Sequence, residues 1–435
     1  MRGAIKYCGD EDSGCDMNDF HFQNGELWCE EVPVRSIAES LGTPLYVYSH
    51  RTLQRHFQVF DRAFAGMKHI ICFSVKANSN LAILRMFIKE GGGADIVSGG
   101  ELFRVLQAGA DPGKIVYSGV GKRIDEIEYA IRSNILMFNV ESPQEMEAID
   151  MAAGRLSSRA RVAIRINPDV DPKTHPHIST GLKKNKFGID VQRSLEEYRR
   201  ARSFKNIDIV GLDCHIGSQI TQISPFMDAL ERLKRLIALL REDGIKIKYL
   251  DLGGGLGITY NQETPPHPDE YARAIKETAG DLDCTFIFEP GRVIVGNAGA
   301  LVSKVLFTKD NGEKNFVIID AGMNDLIRPS LYDAFHRIIS VVPNKDEETF
   351  KADVVGPICE SGDFLAKDRV IPRYRSGDLI AVMSAGAYGF TMSSNYNSRP
   401  RVAEVMVRDD KFHVIRKRED YDDLVRGEQI PDFLK

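Results

Sequence analysis

The sequence has no apolar run long enough to span a bilayer, and its N-terminus, MRGAIKYCGDEDSGCDMND, has no hydrophobic signal core. Neither a membrane partner nor a secretory leader is expected, and the expected setting is the cytoplasm. Cysteine is scarce and unpatterned. The seven residues (Cys8, Cys15, Cys29, Cys72, Cys214, Cys284 and Cys359) are odd in number and contain no C-x-x-C pair. That argues against a disulfide framework or a zinc knuckle, so no metal is expected, and it fits a reducing compartment. The formal net charge of -5 is spread along the chain, with no basic stripe for nucleic acid. Internal repeats and low-complexity linkers are absent as well.

What remains is an ordinary globular composition, 43% apolar and 27% charged, over 435 residues, enough for two or three domains. Residues 1–20 are polar and read as a loose tail, and the strands in 1–45 are expected to join a later β-module. Residues 46–292 carry a repeating beat of apolar run, loop and amphipathic helix. The runs are HIICFSV (69–75), ADIV (94–97), KIVY (114–117), ILMFNV (135–140), RVAIRI (161–166), IVGLDCH (209–215), IKYLDL (247–252) and CTFIFE (284–289). Eight such units predict an α/β fold, a closed (β/α)₈ TIM-type barrel, with an open doubly wound sheet as runner-up. Residues 293–435 switch to short strands split by turns, an all-β, Greek-key-like domain with one short helical piece near PSLYDAFHRI.

In such a barrel the loops after the strands open onto one face, so polar residues there are the site candidates. Lys76 ends the first strand; on position alone it is a lysine snorkelling at the strand mouth. Asp251-Leu252-Gly253-Gly254-Gly255 places consecutive glycines after strand seven, where Gly254 and Gly255 can offer backbone N–H groups to an anion. Strand eight ends in Glu289-Pro290-Gly291-Arg292. Gly291 can add a backbone donor, and Arg292 can grip an anionic substrate group with two prongs. A carboxylate such as Glu289 beside a buried pyridine nitrogen would favour the protonated ring, the electron sink that a carbanion requires; read plainly, it is half of a local ion pair with Arg292. His215 in CHIGSQ is by itself a satisfied core histidine. Beside a bound aromatic ring it could stack, with Ser218 donating to a phosphate.

Taken in order and spacing, VKAN, GADIVSGGEL (93–102), HIGSQ, DLGGGLGI, EPGR, GPICESGD (356–363) and GAYGFTMSSNYNSRPR (386–401) resemble the fold-type III pyridoxal-phosphate (PLP) decarboxylases over residues 25–420. The resemblance implies a PLP-binding barrel with a β-domain, and a head-to-tail homodimer whose active sites lie at the interface, the CESGD loop coming from the partner subunit. It implies Lys76 as the Schiff-base lysine, Glu289 as the partner of the pyridine nitrogen and His215 as the ring-stacking residue. Phosphate would be held by Ser218, Gly255, the Gly291–Arg292 backbone and Tyr388. Cys359 would return a proton to the carbanion; read plainly, it is a buried inert thiol. Phe73-Ser74 stands where relatives often carry Tyr-Ala, a change of packing rather than chemistry.

Substrate choice turns on Asp320–Tyr332. Arg328 and Tyr332 lie four apart, so if Pro329 opens a helical turn both can face one pocket. With Arg292 they would clamp a carboxylate that is not lost, while Glu360 would pair with a distal ammonium. A substrate with both groups is a diamino diacid, which points to the branch acting on meso-2,6-diaminopimelate and releasing L-lysine and CO₂. Alternatives are a related decarboxylase of ornithine, arginine or carboxynorspermidine, a PLP racemase, and a non-enzymatic PLP-binding barrel.

Overall fold

The computed structural model describes residues 18–171, 186–343 and 348–435. Cys8, Cys15 and most of the expected loose tail lie outside the described residues. The chain divides into two compact units. One is Gln54–Ile294, and the other joins the described residues up to Leu53 to Val295–Lys435.

The first unit is the closed barrel. Its strands are β1 (His69–Ser74), β2 (Gly93–Ile96), β3 (Ile115–Tyr117), β4 (Met137–Val140), β5 (Ala160–Asn167), β6 (Ile207–Asp213), β7 (Tyr249–Asp251) and β8 (Thr285–Phe288). Each pairs in parallel with the next, β4 meeting β5 through Phe138↔Val162. The ring closes through Phe286↔His69, Ile287↔Ile70 and Phe288↔Ile71. Closure leaves the main strand circle without an edge, which an open doubly wound sheet cannot do. A buried apolar layer of Cys72, Val116, Met137, Ala163, Val210 and Ile287 fills part of the interior.

After β1, β2 and β4 the next helix begins soon, capped by a small polar residue. Asn80 accepts from the Ala82 N–H at 3.0 Å and starts Leu81–Lys89. Ser98 starts Gly99–Gln107, and Ser142 starts Pro143–Arg155 with proline in its first turn. Short capped turns keep the C-terminal strand ends together on one face, where the site must form. Outside β8, Phe64 stacks on Phe288 with ring centroids 3.9 Å apart, and Tyr271 meets both rings edge-on.

In the second unit the long strand Gly299–Asp310 is central. It pairs antiparallel with Asn315–Ile319, with Leu379–Val382 and with Leu45–Ser49. Leu45–Ser49 in turn runs parallel to Ala403–Arg408. Sequence patterning assigns residues from 46 onward to the barrel; strand pairing gives Leu45–Ser49 to the β unit instead. Phe364–Pro372, paired with Thr349–Val355, is a strand the pattern does not predict. Lys367, Asp368 and Arg369 interrupt its apolar run, and Asp368 sits at φ 51°. The expected helical piece is a single turn, Arg328–Tyr332, with proline in its first turn.

Removing the Phe64 ring takes away a buried stacking partner of a barrel strand. Phe64→Ala is expected to cost about 3–5 kcal/mol of stability, read as a lower denaturation midpoint with the far-UV spectrum unchanged at low denaturant.

Candidate active site

Polar side chains converge at the C-terminal strand ends of the barrel. Lys76 lies in the 3₁₀ turn Val75–Ala77 directly after β1. Its Nζ donates to Asp95 Oδ2 on β2 at 2.7 Å, and Ser74 Oγ donates to the same oxygen at 2.6 Å. The pairing turns the lysine from a solvent-seeking chain into a fixed ammonium at the barrel mouth. Asp95 Oδ1 is buried with no hydrogen-bond partner.

Across the ring, Asp213, Asp251 and Glu289 stand at the ends of three neighbouring strands, all buried, with ligand atoms within 4.8 Å of one another. The Asn139 amide ties the group together, donating to Asp251 Oδ2 at 3.1 Å and Glu289 Oε1 at 3.3 Å. Ser118 Oγ also donates to Glu289 Oε1, at 3.3 Å. Burial raises the Glu289 carboxyl well above its usual range, and the charges of Asp251, Asp95 and Asp213 push the same way, opposed by Lys76. Burial likewise lifts Asp251 to about 6, against hydrogen bonds from Gly253, Asn139 and Glu289 that favour its anion. Arg165 sits beside this group, donating to Glu141 Oε1 at 2.7 Å and lying 3.7 Å from Asp213 Oδ2.

The glycine loop packs too closely for side chains. A Cβ at Gly253 would lie 2.6 Å from His215 Nδ1, one at Gly254 2.2 Å from the Glu289 carbonyl, and one at Gly255 2.5 Å from the Gly217 carbonyl. The Gly254 N–H, expected as an anion donor, instead donates to His215 Nδ1 at 3.2 Å. Accepting at Nδ1 leaves the neutral ring its proton on Nε2. Burial, then the charges of Arg165 and Lys76, push the imidazole well below its ordinary pKa, so it presents a neutral flat face. Gly291 is pressed against Ser74 and Ala77, where a Cβ would come within 3.0 and 2.9 Å. Arg292 is buried and donates to Ser218 Oγ at 3.0 Å and Tyr260 Oη at 2.7 Å. Arginine, serine and the glycine turn thus form one cluster in the barrel unit.

The remaining expected residues belong to the β unit. Cys359 and Glu360 are exposed on a turn that is firmly tied down. The Asp363 carboxylate accepts from the N–H groups of Met323 at 2.6 Å and Ile358 at 2.7 Å, while the Cys359 N–H donates to Asn397 Oδ1 at 2.7 Å. Cys359 is therefore not the buried thiol of the plainer view. Arg328 and Tyr332 are the first and last residues of the one-turn helix; Arg328 is buried and Tyr332 partly so. Tyr388 sits at φ 56°, in the left-handed region that a bulky residue rarely adopts.

Sequence patterning does not single out Asp95, Asn139, Asp213 or Arg165. Their mark is nonetheless visible: a polar residue breaking an apolar strand, alone in GADIV, MFNV and GLDC and as the second of two arginines in RVAIRI. The donor set fits a pyridine cofactor. A fixed lysine, a buried carboxyl at the strand-eight end, a neutral imidazole face and a glycine cradle that side chains would fill are what such a ring and its phosphate require. The partnerless oxygens Asp95 Oδ1 and Asp213 Oδ1 show a buried acid surplus that a cationic ring would offset.

Comparison with known proteins gives the same picture. Residues 50–296 match the family model of the pyridoxal-dependent decarboxylase, pyridoxal binding domain. The chain is similar to a diaminopimelate decarboxylase of Vibrio cholerae, 53% identical over 417 residues, covering 95% of this chain and 99% of that protein. Among solved structures it is similar to the diaminopimelate decarboxylase of Helicobacter pylori complexed with L-lysine, at 44% identity and a TM-score of 0.87 over 91% of this chain and 98% of that one. It is also similar to the M. jannaschii enzyme in co-complex with L-lysine, at 39% identity and a TM-score of 0.91 over 96% of this chain and 100% of that one.

The raised Asp251 carboxyl carries a testable sign. A carboxyl whose folded pKa, about 6, exceeds its ordinary 3.8 contributes stability below that ordinary value and loses it as pH rises through the folded one. In cofactor-free protein, wild type is therefore expected to lose stability relative to Asp251→Asn as pH rises from about 4 through 6, and to go on losing it above that while Glu289 and Asp213, both raised by the Asp251 charge, titrate. Urea denaturation midpoints of both proteins across this range measure it, and an opposite slope contradicts the assignment.

Proposed function

The chain belongs to the pyridoxal-dependent decarboxylase family, and from that membership we infer that it converts meso-2,6-diaminopimelate to L-lysine and CO₂, the last step of lysine biosynthesis. It is a PLP-dependent carboxy-lyase. The observation that carries the chemistry is Lys76 at the barrel mouth, its ammonium fixed by Asp95 at 2.7 Å, in the unit that also holds the buried Glu289 carboxyl.

PLP, when bound, supplies an electron sink for the pair left behind as the carboxylate departs. The chain's own residues make that sink usable. Lys76 is the anchoring amine, and Asp95 is placed to hold or return a proton at its Nζ. Glu289, kept protonatable by burial and by Asp251, would partner the pyridine nitrogen, and His215, kept neutral by burial and with its tautomer set by the Gly254 N–H, would stack on the ring. Ser218, Gly255, the Gly291–Arg292 backbone and Tyr388 take the phosphate, and Gly254 acts through the histidine.

On the substrate side, Arg292, Arg328 and Tyr332 bind the carboxylate that is retained, and Glu360 the distal ammonium. Tyr388 is assigned to both phosphate and substrate. Cys359 delivers a proton to the carbon that has lost CO₂. Its exposure, together with that of Glu360 on the same rigid turn, supports a homodimer in which this turn completes the partner's site. The cytoplasm suits the chain's free thiols, and no helix among the described residues is long and apolar enough to cross a membrane.

Lys76→Ala is expected to abolish both lysine formation and the near-visible absorbance of lysine-bound cofactor; normal turnover in that variant contradicts the assignment. Cys359→Ala is expected to lower kcat by about 100-fold or more, with KM within about threefold, in a coupled assay of CO₂ release. An unchanged kcat removes Cys359 from the proton-delivery role.

A further inference from the structure

Arg328 is 6% exposed and has a partner that the carboxylate clamp does not explain. Its Nη1 lies 2.8 Å from Nε2 of His336, a residue with no exposure, and Nδ1 of the same ring lies 2.9 Å from the Met383 carbonyl. These contacts settle the tautomer. A carbonyl only accepts, so Nδ1 carries the proton; a guanidinium only donates, so Nε2 offers its lone pair. The ring is thus a neutral relay between a fixed backbone oxygen and the arginine.

Its backbone frame is rigid. His336 lies two residues before the strand Ile338–Ser340, which pairs with Leu379–Val382 through Ile338↔Val382. The Met383 N–H donates to the Arg337 carbonyl at 2.8 Å, locking the carbonyl's own residue beside the histidine. Arg328 starts a one-turn helix with proline in its first turn, so its main chain is constrained too. A guanidinium is planar and stiff. Fixing one Nη therefore fixes the direction of its other N–H donors.

We propose that His336 is a positioning residue for substrate selection, aiming the Arg328 guanidinium at the carboxylate that the substrate keeps. This rests on the assignment of Arg328 to that carboxylate. L-Lysine, the product, keeps the same carboxylate, so its binding reports the aim directly without turnover.

The test uses the PLP-loaded full chain and compares His336→Leu, His336→Asn and His336→Gln. Leucine removes both ring functions. Asparagine places an amide near the Nδ1 position but cannot reach the arginine. Glutamine places an acceptor near Nε2. The leucine and asparagine variants are expected to raise KM for meso-diaminopimelate and the inhibition constant of L-lysine about tenfold or more. Their kcat should stay within about threefold of wild type, and glutamine should restore both constants to near wild-type values. The polar pair carries the comparison if the leucine variant fails to fold. Melting temperatures that fall equally in the asparagine and glutamine variants while only asparagine loses lysine affinity support aiming over a packing role. Wild-type lysine inhibition in His336→Asn, or equal losses in asparagine and glutamine, overturns the proposal. Arg328→Gln separates the two layers. If it weakens lysine binding while His336→Asn does not, only the role of His336 falls; if it leaves lysine binding unchanged, the carboxylate assignment itself falls.

Discussion

Three carboxyl groups drawn from adjacent strand ends, Asp213, Asp251 and Glu289, share one buried volume within 4.8 Å, and this crowding governs the barrel's chemistry. Like charges that close, away from water, cannot all persist, so the group must hold protons or face a cation. The Asn139 amide supplies the hydrogen bonds that keep two of the acids in register. Arg165 offsets part of the charge from one side, and Lys76 bears on Glu289 from another. A protonated pyridine ring is a cation that this arrangement would suit.

The β unit meets a different demand. Its reactive side chains are few, and their backbone is what the fold fixes. Asp363 and Asn397 bind the N–H groups around Cys359, while His336 and the proline-led turn hold Arg328. Tyr388, held at positive φ, belongs to the same economy of fixed geometry at reactive positions. The proposed roles are shared between the units, Arg292 of the barrel unit taking part in substrate binding and Tyr388 and Cys359 of the β unit in phosphate binding and proton delivery.

Much of this is legible in the sequence, for identifiable reasons. Short β-branched runs between amphipathic helices reveal all eight barrel strands, since strands buried on both faces are uniformly apolar. Lys76, the glycine loop and Glu289 stand out because they interrupt that pattern at strand ends. Asp95, Asn139 and Asp213 interrupt it just as plainly. A single polar residue within a strand does not announce which of its neighbours it will face, so their network emerges only once the ring is closed. Leu45–Ser49 reads equally well as a strand of either unit, and only pairing decides. Phe364–Pro372 is hidden by Lys367, Asp368 and Arg369 around a residue at positive φ. His336 carries no local pattern at all; its meaning lies in an arginine eight residues earlier and a carbonyl just past another strand.

The central claim is that Lys76-anchored cofactor chemistry removes one carboxylate of a diamino diacid, and that a side-chain acid protonates the same carbon. The most direct measurement is mass and NMR analysis of lysine formed by the purified PLP-loaded protein from meso-diaminopimelate in D₂O. The expected product is L-lysine with a single deuterium on the carbon that carried the lost carboxylate, one CO₂ appearing per lysine. Recovery of diaminopimelate with deuterium at an α-carbon and no lysine would contradict it, as racemisation would then be the chemistry of this site.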